Sequence, residues 1–263
     1  MEVATQDAIS YHAKYFYLIM SILTLWTGRL MFASSSKTWL SRAITQGSRN
    51  RGIHPIQQIY QSLEEIENIE KSAMNPTNCS HIASCLQEMN FLTLNDLGIK
   101  QTDLEGLSDS ICMNIIRSEK YHISVFCLPK GCKLPVHDHP SMTVCSKLIV
   151  GELSIKSFTP KSVGNDGNDL YATVDKNETF FPSNESWLLT PTMGNVHEFE
   201  AQSTCVIFDI LLPPYLEPHR PCTFYNVHQQ DQRTWLLSKM SPHELKNVDL
   251  PYSVPYSGLK PLC

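Results

Sequence analysis

Two histidines one residue apart, His137 and His139, sit in the stretch KGCKLPVHDHPSMTVCSKLIVGELSIKSF, residues 130–158. The neighbouring Met142, Thr143, Val144, Leu148, Ile149 and Val150 are β-prone, so the pair reads as part of a β-structure. Side chains two apart in a strand share a face, and both imidazoles are therefore expected to aim at one point. A third histidine, His197, follows in PTMGNVHEF, where a glycine-containing turn leads into another apolar strand. A lone histidine is more often structural than ligating, and H-x-H arises by chance. Three imidazoles converging on one face are a different matter. They make a metal site with open coordination positions, the form that chemistry requires.

Gly131 lies six residues before His137, and Gly151 twelve after His139. This glycine and histidine spacing resembles the two signature blocks of the cupin fold. It implies a mainly β chain forming a double-stranded β-barrel (jelly roll). Many cupins carry a glutamate shortly after the second histidine; here Thr143 and Val144 fill that stretch. The expected ligand set is thus three neutral imidazoles without a carboxylate, which leaves a bound Fe(2+) its full charge and suits capture of a thiolate. The H-x-D…H pattern of 2-oxoglutarate oxygenases is missing, because His139 stands where the aspartate would be. Strand alternation points Asp138 out of the barrel, as a solvated or second-layer residue.

A chain of 263 residues with 42% apolar content can bury one substantial core. Up to residue 51 there are six basic residues against two acidic, while the whole chain carries a net charge of −5. The main body is accordingly acidic, which argues against a nucleic-acid face. The nine cysteines are odd in number, scattered, and free of C-x-x-C. Such usage fits a reducing compartment, so the cytoplasm is expected, with the nucleus as a second location.

Residues 1–54 read as a partly apolar, poorly ordered extension. Within it, 15–28 form a charge-free run of 14 residues. A membrane helix needs roughly 20, and reaching that length over 15–33 requires accepting Arg29, so membrane contact there is not favoured. Order is expected from residue 55 to 263. A helical lead-in covers 55–110, with Pro55 in the first turn, Ile56, Ile59, Leu63 and Ile66 on one face, and Ser80 capping a second helix. From about Tyr121 short β-rich runs follow: 121–128, 142–150, 152–158, 170–175, 187–190, 196–200, 204–212 and 223–227. Turn residues separate them, as in a sandwich or barrel.

Longer blocks sharpen the resemblance. LPVHDHPSMTVCSKLIVGELSIKSF, LLTPTMGNVHEFEA, CVIFDILLPPYLEPHRPCTFYNV and YSVPYSGLKPL together resemble the thiol dioxygenase family of 2-aminoethanethiol (cysteamine) dioxygenase and the plant cysteine oxidases. HDHP and WLLTP lean toward the animal type, and MTVCSKL toward the plant type. The resemblance implies His137, His139 and His197 as ligands of Fe(2+). It further implies site roles for Asp209, Tyr215 and Cys222. The strand pattern adds that Cys205, Ile207, Asp209 and Leu211 share one face, so a carboxylate there needs a partner. Two departures stand out: Ser141 replaces a family glycine, and Phe224 stands where animal members carry the tyrosine of a Cys–Tyr cross-link.

The implied reaction adds both atoms of dioxygen to the sulfur of cysteamine, or of the N-terminal cysteine of a peptide or protein. The product is a sulfinic acid, and with a peptide substrate the protein would act as an oxygen sensor. A monomer is expected. The alternative is a catalytically inactive metal-binding cupin that serves as a binding or scaffold protein.

Overall fold

The computed structural model describes residues 53–165 and 167–258. The extension over 1–52, including 15–33, lies outside the described residues, and among those described no helix is long and apolar enough to cross a membrane.

Four helices lead in: α1 (Pro55–Glu64), α2 (Ile69–Met74), α3 (Ser80–Met89) and α4 (Gln101–Glu105), with a 3₁₀ turn over Pro76–Asn78. α1 starts where the chain chemistry permits. Pro55 opens it, and the His54 ring accepts the Ile56 N–H at 3.3 Å. Ile56, Ile59 and Leu63 are fully buried on the expected face. α3 differs from expectation at its start, since Cys79 rather than Ser80 occupies the cap, without a side-chain bond.

Twelve strands follow, with a short helix, α5 (Pro242–Leu245), near the end. One six-stranded sheet runs β12 (Tyr252–Val254), β1 (Ile111–Arg117), β2 (His122–Leu128), β9 (Cys205–Leu212), β4 (Thr143–Val150) and β7 (Trp187–Leu189). The other runs β10 (Tyr225–Gln229), β11 (Trp235–Lys239), β6 (Asp169–Phe180), β5 (Leu153–Val163), β8 (Val196–Ala201) and β3 (Lys133–His137). All pairs are antiparallel except β12 with β1. β-structure begins earlier than the expected residue 121, because β1 occupies 111–117; its interrupted pattern with Asn114 hid it. β3 lies in the stretch read as β-structure around His137, whereas β11 and β12 are strands that the hydrophobic pattern was too short or too mixed to reveal.

Strand alternation sorts the core into two layers. Val206, Phe208, Ile210 and Leu212 of β9 pack outward with α1 and α3. Cys205, Ile207 and Leu211 face inward, against Ile155, Leu153, Phe199 and Ala201 of the opposite sheet. All eight β9 residues are buried, so this central strand reads as a continuous apolar run. Each large side chain so enclosed stabilises the fold by about 1.5–3 kcal/mol. Asp209 is the one charged member of that strand. Helices on one face and a second sheet on the other leave the inter-sheet space as an enclosed interior in which polar chemistry can sit.

Candidate metal centre

His137 ends β3 and stands directly opposite His197 of β8, so the two imidazoles project from neighbouring strands to the same side. Their ring centroids are 4.4 Å apart. His139 completes the group, with centroids 5.1 Å from His137 and 5.0 Å from His197. One ring nitrogen from each lies within 4.8 Å of the others, and all three residues are buried. The convergence expected from H-x-H is therefore present, but its cause is different. β3 stops at His137, and the chain turns through Pro140 and Ser141, the latter at φ 57°. A proline cannot donate to a ladder, and the strand period no longer applies beyond it. His139 is held by the side chains of Asn195 and Tyr215 and by the turn bond from the Met142 N–H, not by the sheet.

Those side chains also set the tautomers. His137 Nδ1 lies 2.8 Å from the Pro135 carbonyl, which can only accept, so Nδ1 carries the proton and Nε2 keeps its lone pair. His139 Nδ1 lies 2.7 Å from the Tyr215 hydroxyl, whose own proton goes to the Asp138 carbonyl at 2.5 Å. The His139 Nδ1–H therefore donates to Tyr215, again leaving Nε2 as a donor atom for a metal. This is the usual support of a ligating histidine. The ring nitrogens of His197 are enclosed, with no well-formed hydrogen bond and only the Gly194 backbone bearing on them, a costly condition that a bound cation relieves. Burial pushes the pKa of His137 down to about 4. Burial, with His137 and His139 alongside, holds that of His197 well below its ordinary range. His137 and His197 are therefore neutral at physiological pH, the form that binds a metal. The residues fit a divalent transition metal.

Of the two expectations for Asp138, solvated or second-layer, the structure shows the second. Its carboxylate accepts the Thr223 N–H at 2.8 Å and the Tyr225 hydroxyl at 2.9 Å, and its own N–H donates to the Thr223 carbonyl at 3.0 Å. Burial raises its pKa to about 6 despite these bonds. It clamps the segment entering β10 against the metal block. That clamp seats Phe224 against His137, with ring centroids 5.8 Å apart. Cys222 hydrogen-bonds Tyr215, so Tyr215, Cys222 and His139 form one connected group. Burial, followed by the Asp138 charge, lifts the Cys222 thiol well above its usual range. Asp209 projects from the first sheet into the barrel interior, fully buried, with Ser124 and Ser146 beside it on the adjoining strands. The shared face of Cys205, Ile207, Asp209 and Leu211 is thus as expected.

Sequence reasoning missed Asn195, whose side chain bonds the His139 peptide at both ends. Its only signal was a Gly-Asn pair before His197, which reads as an ordinary turn.

The PCO_ADO family profile matches residues 66–255, most of the chain. The chain belongs to the PCO_ADO family. Plant cysteine oxidase 2 of Arabidopsis thaliana is 29% identical over 197 residues, 70% of this chain and 70% of that protein. The probable 2-aminoethanethiol dioxygenase of Dictyostelium discoideum is 31% identical over 119 residues, 42% of this chain and 53% of that protein. Human 2-aminoethanethiol dioxygenase is 24% identical over 181 residues, 58% of this chain and 66% of that protein. Among solved structures, a double-stranded β-helix protein from Klebsiella pneumoniae matches with TM-score 0.32 and 13% identity, covering 44% of this chain and 84% of that one. In this PCO_ADO member both histidine blocks fall within the matched residues, as do Asp209, Tyr215 and Cys222.

Proposed function

We propose that the chain is an iron(II) thiol dioxygenase whose substrate is an amine-thiol, either cysteamine or the N-terminal cysteine of a peptide. Family membership gives the class of reaction, in which a thiol and dioxygen combine to a sulfinic acid. The observation that carries the reading is the buried set of three imidazoles, two of which, His137 and His139, have an Nε2 lone pair freed by the Pro135 carbonyl and by Tyr215. Iron(II) held there supplies adjacent open positions and lowers the pKa of a coordinated thiol.

The chain's own residues do the rest. Tyr215 keeps the His139 ring in one tautomer and one orientation. Cys222 supports Tyr215 from behind. Phe224 and Phe199, beside His137 and His197, keep water from the ligand rings. Asp209, a buried carboxyl group in the barrel interior, favours a substrate that brings an ammonium and disfavours one that brings a carboxylate. With a peptide as substrate, the rate of sulfur oxidation follows oxygen supply, which makes the protein an oxygen sensor.

Mass spectrometry of a short peptide beginning with cysteine tests this reading. A gain of two oxygen atoms on the thiol is expected with enzyme, iron and dioxygen, and none under nitrogen. The N-acetylated peptide should react poorly, since acetylation removes both the amine donor and its charge. Equal turnover of the two peptides would remove the amine from the reading, and no turnover of peptide or cysteamine by iron-loaded protein would leave a metal-binding scaffold.

Asp209→Asn keeps the shape of the side chain and removes its charge. Turnover is expected to fall about 10–100-fold, the range for residues that support a site, with iron content preserved. Unchanged turnover would strike Asp209 from the site without touching the metal assignment.

A further inference from the structure

His139 has a backbone problem as well as a ring to orient. β3 and its ladder with β8 end at His137, so the His139 peptide has no strand beside it, yet the residue is fully buried. An unmet peptide group in that position costs about 1–3 kcal/mol. Asn195 answers both halves of the peptide. Its Oδ1 accepts the His139 N–H at 3.0 Å, and its Nδ2 donates to the His139 carbonyl at 2.6 Å. A side-chain amide thus reproduces the paired bonds that a neighbouring strand would have made.

The amide is fixed in orientation. Its Nδ2 also reaches the Thr190 carbonyl at 3.4 Å, and exchanging oxygen for nitrogen would set an acceptor against two carbonyls and a donor against an N–H. Asn195 itself is 6% exposed and stands between Gly194, at φ +64°, and the first residue of β8. The Gly194 N–H is anchored to Thr159 Oγ1 at 3.2 Å, which aims the next side chain inward. Two residues further along comes His197. One side chain therefore ties the backbone of a ligand in the first block to the start of the strand that carries a ligand from the second.

We propose that Asn195 is the positioning residue of the metal centre: it fixes His139 relative to His197, so metal affinity depends on a side chain that offers no ligand. The inference rests on the three histidines binding a metal, as read above. Tyr215 governs the rotation of the His139 ring, whereas Asn195 governs where its backbone stands. The His139 carbonyl also accepts the Met142 N–H at 3.1 Å, whereas its N–H donates to Asn195. Loss of the amide leaves that buried N–H unmet and the peptide hinged on one turn bond, and the ring moves with it.

Cobalt(II) chloride titrated into the metal-free full-length chain reads the effect without turnover, through ligand-field absorption and competition with a chelator. Wild type is expected to take one cobalt per chain. Asn195→Ala should weaken binding about 10–100-fold and change the visible bands. Asn195→Asp, which places an acceptor against the His139 carbonyl, should act in the same direction and carries the test if the alanine variant does not fold. In a His139→Ala background, adding Asn195→Ala should change the residual affinity by less than about 3-fold, because the residue acts through His139. Unchanged affinity and bands in a folded variant would overturn the proposal. So would an equal further loss in the His139→Ala background, or failure of both variants to fold. Failure of wild type to bind cobalt would instead refute the metal site itself, a distinct result.

Discussion

His197→Ala is expected to yield protein without bound metal, where wild type carries about one iron per chain. The reason is geometric. His197 stands opposite His137 on neighbouring strands, and no carboxylate is among the clustered ligand residues to take its place. Two imidazoles remain, too few for tight retention of a divalent ion. The loss should exceed the roughly 10–100-fold effect of removing a supporting residue. Folding should persist, since both core layers are built from other residues. Elemental analysis of the purified variant, with circular dichroism as the control for folding, measures the outcome. Full iron retention, or stoichiometric zinc that resists exchange in wild type, would count against the assignment.

The histidines were legible in the sequence because ligand spacing leaves a mark that apolar patterning does not blur. The inward file of β9 was legible too, since a single aspartate in CVIFDILL breaks a run that is otherwise wholly apolar. What holds His139 was not. Its position depends on Asn195, Tyr215 and the turn at Pro140 and Ser141, and each of those residue types has a commoner explanation in isolation. Asp138 stayed undecided between solvated and second-layer for a related reason: alternation predicts which way a strand residue points, but not that a later segment, Thr223 to Tyr225, comes to cover it. The missed strands β1, β11 and β12 are edge or mixed segments, stabilised by their neighbours more than by their own pattern.

Gly151→Ala is expected to destabilise the fold by about 3 kcal/mol or more, with a drop in melting temperature of roughly 6–12 °C. Gly151 links β4 in one sheet to β5 in the other, at φ +100°. A side chain there is strained by backbone conformation alone. It would also lie 2.7 Å from Cys205 Sγ and 2.9 Å from Cys205 Cα, and would strike the Thr204 carbonyl oxygen. Cys205 begins the central strand β9, paired on both sides, and cannot retreat. Gly131→Ala provides the control. Its φ is +85°, yet a Cβ would meet nothing within 4 Å, so only the conformational cost of about 1 kcal/mol applies. Paired thermal melts of the two variants separate strain from collision. Equal shifts would show that the close approach at Gly151 relaxes freely.

β12 lies parallel to β1, its partner residues Tyr252 and Ile111 separated by more than half the chain. Gly98, in the segment before α4, would place a Cβ 2.6 Å from the Gly258 Cα, so the two stretches touch backbone to backbone. During synthesis the flank of β1 therefore stays uncapped long after β2 to β9 have emerged, with its N–H and C=O groups open to any passing strand. The barrel and its histidines can assemble early, but the first sheet is sealed only when residues 252–258 arrive. A nascent chain of this protein thus carries an open strand edge from the emergence of β1 to that of β12, about half of its translation.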